Sequence, residues 1–236
     1  MSEDRMRPHQ DLTSPVIVRK LRERFGVPPP PQQRPPLDEL ILTILSQNTN
    51  DRNRDRAYTS LRDRYPTWDR ILDSSREELE AAISVAGLGP TKSRRIRNIL
   101  QVLADREEGY LERLCRLDRE EAFRRLMDLE GVGPKTAACV LLFSCGVAAF
   151  PVDTHIYRVA RRLKILVNNE DRVKAHSVLE EYFRPEDYLE VHLNLITLGR
   201  RICRPRSPRC PECPLGEYCP SYREEEENQG GERGKG

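Results

Sequence analysis

The chain lacks a long apolar run. Its longest stretch, Ala137 to Phe150, includes Ser144 and Gly146 and falls short of the ~20 residues a membrane-spanning helix needs. It reads as a buried core helix, and no membrane partner is expected. No N-terminal apolar segment has the layout of a signal peptide. No stretch carries a credible strand pattern. Net charge is also small: 40 basic residues against 38 acidic ones leave a formal +2, too little to announce a polyanionic partner by itself. Distribution qualifies that point, because five glutamates lie in the last stretch, Arg223 to Gly236, and the body upstream is more basic than the total. The seven cysteines, an odd number without an export signal, point to the reducing cytoplasm, where thiols are ligands or core residues rather than bridges.

What the sequence does have is helical periodicity. A chain of 236 residues can bury a real core as one large or two smaller domains. Leu40-Ile41 and Ile44-Leu45 recur at helical spacing, as do Leu79, Ile83 and Ala86, then Ile96, Ile99, Leu100 and Leu103. The pattern predicts helices over 16–25, 37–47, 52–65, 67–73, 76–86, 91–106, 110–116, 119–128, 134–145, 154–166, 171–183 and 186–202. The fold class is therefore all-α. Residues 28–36, rich in proline, cannot continue a helix and should run extended. Residues 220–236 are polar, acidic and glycine-rich, and are expected to be disordered. Cys115, Cys139 and Cys145 fall on apolar helical patterns and are expected to be inert core thiols.

The other four cysteines follow a peculiar spacing: Cys203, six residues, Cys210, two residues, Cys213, five residues, Cys219. Thiolates so closely spaced serve as ligands for a soft metal or an iron–sulfur cluster. Structural zinc is usually held by two separated short pairs, and here only Cys210 and Cys213 form one. The spacing favours a four-iron cluster, with a single zinc as the alternative. Arg200, Arg201, Arg204, Arg206 and Arg209 surround it, able to offset an anionic cluster and to meet phosphates.

Two turns share a shape, Gly87-Leu88-Gly89-Pro90 and Gly131-Val132-Gly133-Pro134. In the second, two glycines flanking an apolar residue allow a tight hairpin with positive φ, and Val132 can plug the core from it. Proline suits the first turn of the next helix, whose free N–H groups make an anion site for a phosphate without sequence preference. Lys135 sits in that first helical turn, where the helix dipole disfavours its protonation. Its local residues alone fit a surface or phosphate-contacting lysine just as well. Lys92, in a basic cluster with Arg94, Arg95 and Arg97, reads as a phosphate contact. Asp153, after an apolar run and before a helical pattern, reads as an N-cap.

Taken together, the cysteine spacing, the segment Leu126 to Ala138 and the run Val152-Asp153-Thr154-His155 resemble the endonuclease III family, the helix-hairpin-helix DNA glycosylases, from about Leu37 to Cys219. The resemblance implies a six-helix barrel lobe over 29–147 and a cluster lobe joining 1–28 to 148–219, with the active site in the cleft between them. It implies that Lys135 is the nucleophile that attacks the sugar C1′ and that Asp153 is the catalytic carboxylate. Cys203, Cys210, Cys213 and Cys219 would hold a [4Fe-4S] cluster with a structural and DNA-positioning role. Gly131, Val132, Gly133, Lys92 and Arg201 would contact DNA. Asn48, where the family usually has glutamine, would fill the space left by the extruded nucleotide, with Gln47 as the alternative, and Leu88 would be the apolar wedge.

The expected function is a monomeric, nucleoid-associated DNA glycosylase and abasic-site lyase. It would remove damaged, oxidised pyrimidines from double-stranded DNA and then cut the strand by β-elimination. Mismatch-directed thymine or uracil excision, a mainly abasic-site lyase and a non-catalytic iron–sulfur DNA-binding or redox-sensing module are the alternatives.

Overall fold

The structure, a computed structural model, describes residues 12–167 and 170–224. Among these residues it is all-helical, with no strand, and no helix is long and apolar enough to cross a membrane. The chain divides into two compact units, one made of residues 31–149 and the other of the segments before and after them.

The 31–149 unit is built around α2 (Pro36–Ser46), whose residues Leu40 to Leu45 are all buried. Proline at its start satisfies the position where a missing N–H is harmless, and the proline-rich stretch before it is extended. Around α2 pack α3 (Asp51–Arg64), α6 (Gly89–Ala104), α7 (Tyr110–Leu114) and α9 (Pro134–Val140). The smaller helices α4 (Arg70–Asp73) and α5 (Arg76–Ile83) pack on α6, and α8 (Arg119–Met127) packs on α9. Leu40, Ile41, Ile44, Leu61, Leu79 and Ile96 are fully buried, each side chain contributing roughly 1.5–3 kcal/mol by leaving water. Ser75 and Glu78 form a reciprocal capping box on α5, and Asp118 caps α8 through two backbone amides.

After α9 the helix widens into a π-helical segment, Leu141–Cys145, and stops at Gly146 with φ 65°. That segment carries one departure from expectation. Cys115 and Cys145 are joined by a disulfide across 30 residues rather than standing as inert thiols, because the end of α7 and the π segment bring their Cα atoms to 4.9 Å. Cys139 is buried, as its apolar pattern indicated.

The second unit contains α1 (Ser14–Phe25), α10 (Thr154–Arg162), α11 (Lys174–Tyr182) and α12 (Tyr188–Arg201). Helix α12 packs against both α1 and α10. A bidentate ion pair from Arg22 to Glu190, at 2.8 and 2.7 Å, fastens α1 to α12. Phe150 stacks on Phe183 and meets Tyr188 edge-on, at centroid distances of 5.5 and 5.3 Å. Helices α10 and α12 lie close at Gly199, where an added Cβ would lie 2.8 Å from the Cβ of His155. Residues 220–224 are helical, so the tail expected to be disordered from residue 220 is ordered at its start. There Ser221 Oγ donates to the Arg162 carbonyl at 3.1 Å. The rest of that tail, 225–236, lies outside the described residues, as do residues 1–11 of the expected cluster lobe.

Candidate active site and cysteine cavity

In the 31–149 unit the turn Gly131-Val132-Gly133 leads straight into α9, with Gly133 as the N-cap and Pro134 first in the helix. Only Gly131 has positive φ, +82°; Gly133 is extended at φ −99°. Val132 is 5% exposed and plugs the core, and its N–H donates to the Leu129 carbonyl at 3.0 Å. Its amide is thus used within the turn rather than offered to a phosphate, which corrects its expected role. Lys135 is half-buried in the first turn of α9. Glu39, buried in the first turn of α2, lies near enough to interact with Lys135 electrostatically. Burial pushes the Glu39 carboxyl above the usual carboxylate range, and Arg34 and Lys135 offset part of that rise.

In the other unit Asp153 caps α10. Its Oδ1 accepts from the backbone N–H of both His155, at 2.9 Å, and Ile156, at 2.8 Å. Both cap bonds fall on one oxygen, and among the described residues Oδ2 receives no hydrogen bond. His155 contacts Arg158 and is held neutral-leaning by burial, its pKa below the ordinary histidine value.

The turn after α2 separates its two amides. Gln47 is half-buried, its Oε1 accepting from Arg95 Nη1 at 2.6 Å, whereas Asn48 is exposed at φ 51°. Leu88 is also exposed, at 51%, and holds a left-handed φ of 53°, an uncommon conformation for a bulky residue. Lys92 corrects the sequence reading outright. It is 1% exposed, and its ammonium donates to the carbonyls of Leu45 and Ala86 at 2.8 Å each, so it cannot meet a phosphate. Burial lowers its pKa. Arg97 also turns inward, to the carbonyls of Ser74 and Leu72, and of that basic cluster only Arg94 is exposed. Arg201 is exposed at the end of α12.

Cys203, Cys210, Cys213 and Cys219 form no disulfide, and all four line one small cavity with Arg162, Ile202, Gly216 and Tyr222. Burial pushes the Cys213 thiol up to about 12 and raises Cys219 as well. Among the described residues no three such side chains are set to grip a single metal ion. The four thiols lining one cavity are a soft donor set of the kind iron–sulfur clusters take. Gly216 permits the tight path: a Cβ there would lie 3.2 Å from the Cys210 carbonyl.

Three residues had no sequence signal. Arg162 reaches Cys203 and the loop beyond it from 41 residues away, and Arg158 donates to the Cys203 and Gly199 carbonyls at 2.9 and 2.8 Å. Glu39 is one more polar residue at the start of an apolar helix, with nothing local to mark its burial. A basic depression lined by His155, Arg200, Arg204 and Arg206 lies beside α10.

The sequence profile described as HhH-GPD superfamily base excision DNA repair protein matches residues 41–185. An Arabidopsis thaliana relative with a provisional DNA glycosylase name is 39% identical over 71% of this chain, which spans 57% of that relative's length. Endonuclease III of Sulfolobus acidocaldarius is 36% identical over 78% of this chain and 81% of its own. A solved endonuclease III trapped as a covalent intermediate with DNA superposes with a TM-score of 0.78 and 30% identity, covering 91% of this chain and 99% of that one. The chain belongs to the HhH-GPD superfamily and, within it, to the endonuclease III family.

Proposed function

We propose that this chain is a bifunctional DNA glycosylase and abasic-site lyase of base excision repair, acting on oxidised pyrimidines in double-stranded DNA. The observation that carries the reading is Lys135 itself, set directly after the Gly-Val-Gly-Pro turn in a family with a DNA-trapped covalent intermediate. The Lys135 amine attacks C1′ while the bond from C1′ to the base breaks, its electron pair leaving with the base, which takes up a proton. Ring opening then gives a Schiff base, and loss of a 2′ proton expels the 3′ phosphate. Positive charge develops on the sugar as the base departs, and the Asp153 carboxylate, its Oδ2 not occupied by the cap, stabilises it. Asn48, exposed where Gln47 is tied back by Arg95, is the better candidate to enter the duplex, with the exposed Leu88 as the wedge.

Cys203, Cys210, Cys213 and Cys219 would hold a [4Fe-4S] cluster, the four thiols lining one cavity being the observation that favours it. Such a group supplies a cationic core that takes thiolates and fixes the path of the C-terminal loop. Arg162 orients that loop, and Arg201, exposed at the end of α12, would meet a phosphate.

Borohydride reduction tests the reading. Incubated with duplex carrying an oxidised pyrimidine, the wild type should be trapped as a covalent protein–DNA species, and Lys135→Gln should give none while still binding undamaged duplex. Excision without any trapped species would make the protein a monofunctional glycosylase, and neither excision nor trapping would leave a DNA-binding module.

A further inference from the structure

One face of α6 holds three separate turns of the 31–149 unit. Lys92 donates to the Leu45 carbonyl, at the end of α2, and to the Ala86 carbonyl, just before Leu88. Three residues on, Arg95 donates to Gln47 at 2.6 Å, and its side-chain carbons would lie 2.9 and 3.0 Å from a Cβ added at Gly131. Three further on, Asn98 Nδ2 donates to Glu130 Oε2 at 2.8 Å, next to that glycine. The turn carrying Asn48, the turn carrying Leu88 and the hairpin before Lys135 are all fastened to one rigid rod.

Lys92 is the telling member. A fully buried ammonium is expensive in an apolar setting, and a methionine would fill the same space without that cost. What the ammonium supplies is a pair of donors for two carbonyls at chain ends. The Leu45 carbonyl belongs to the last turn of α2, where no following helical N–H reaches it and where the helix dipole favours a cation. Both bonds are short, and both acceptors lie within three residues of a side chain aimed out of the unit, Asn48 or Leu88. Leu88 moreover keeps a left-handed backbone, strain that a neighbouring anchor at Ala86 helps to hold.

We propose that Lys92, Arg95 and Asn98 are positioning residues that set the spacing between Asn48, Leu88 and the Gly131 hairpin, so that the two intruding side chains enter the duplex in one motion. This rests on the reading of those turns as DNA-facing. The substrate feature they govern is extrusion of the base. The step at C1′ does not depend on them once the nucleotide is out.

The test compares one oxidised pyrimidine in two duplexes, fully paired in the first and already unstacked in a small bulge in the second. Single-turnover excision by Lys92→Met and Arg95→Met should fall on the order of tenfold to a hundredfold on the paired lesion and stay near wild type on the bulged one. Fluorescence of 2-aminopurine opposite the lesion should rise more slowly in both variants. Equal loss on both substrates would overturn the proposal in favour of a purely structural role. If Lys92→Met fails to fold, Arg95→Met and Asn98→Ala, which leave the buried ammonium in place, carry the same comparison. A wild type without excision on either duplex would instead remove the functional reading beneath it.

Discussion

Arg162 donates from Nη1 to the Sγ of Cys203 at 3.2 Å, and the same nitrogen reaches the Arg204 carbonyl at 2.7 Å. Its own backbone carbonyl accepts from Ser221 at 3.1 Å, so one residue of α10 grips both ends of the cysteine loop. Were the four cysteines to hold the proposed cluster, a hydrogen bond from this cation to a thiolate ligand would neutralise part of their charge, and hydrogen bonds involving charged groups contribute about 1.5–3 kcal/mol. Arg162→Met should therefore still take up iron but lose its visible absorbance several-fold faster under chelator, with a lower melting temperature. Unchanged decay would mean that the loop is held without this contact.

The cap uses Asp153 Oδ1 alone, and the chemical duty proposed for the carboxylate would fall to Oδ2, so substitution should separate the two. Asparagine caps a helix about as well as aspartate, so Asp153→Asn should hold its melting temperature, while Asp153→Ala should lose ~1 kcal/mol of stability. Both should cut base excision by about 10²–10³, the scale of removing one electrostatic stabiliser. Paired melting curves and single-turnover rates decide it. An asparagine variant that melts early yet excises normally would reverse the assignment.

The helices were legible because their apolar residues recur at three and four, as in Leu40-Ile41 and Ile44-Leu45, and because Ser75, Asp118 and Asp153 mark starts with short polar caps. Lys92 was not legible. A lysine among arginines at a helix start reads as solvated, and nothing local reveals two carbonyls, one of them 47 residues away, waiting for a donor. The Cys115–Cys145 bridge and the grip of Arg162 are likewise products of distant segments meeting, to which periodicity is blind. Candidate site residues could be picked out by motif, but the motif did not distinguish an amide used in a turn, at Val132, from one left open.

Glu39 should make stability fall as pH rises. Its carboxyl is raised above 4.5 by burial, so the folded chain keeps a proton that the unfolded chain has released. The favourable contribution is full below the unfolded value and lost as pH climbs through the folded one. Glu39→Gln, which cannot ionise, should thus gain on the wild type at neutral pH, and the gain should shrink toward pH 4.5. Melting temperatures across that range measure it; a difference that stays flat would show that Arg34 and Lys135 fully compensate the buried charge.

The two glycines of the hairpin should answer differently to alanine. Gly131 sits at φ +82°, and a Cβ there would lie 2.9 Å from Arg95 Cδ. Gly131→Ala should therefore cost roughly 1–2 kcal/mol from the left-handed backbone alone and also push Arg95 off Gln47. Gly133 has neither constraint: its φ is −99° and nothing lies within 4 Å of an added Cβ. Gly133 is the N-cap of α9, where glycine is favoured over alanine, and the open space around it also leaves room for what approaches from outside. If a phosphate comes up against the start of α9, the added methyl obstructs it. Gly133→Ala should then melt slightly below the wild type, through the poorer cap, yet bind undamaged duplex several-fold more weakly, with a shallower dependence on salt. Binding isotherms at two or more salt concentrations alongside melting curves separate the outcomes, and a Gly133→Ala protein that binds as tightly as the wild type would remove the phosphate from this turn.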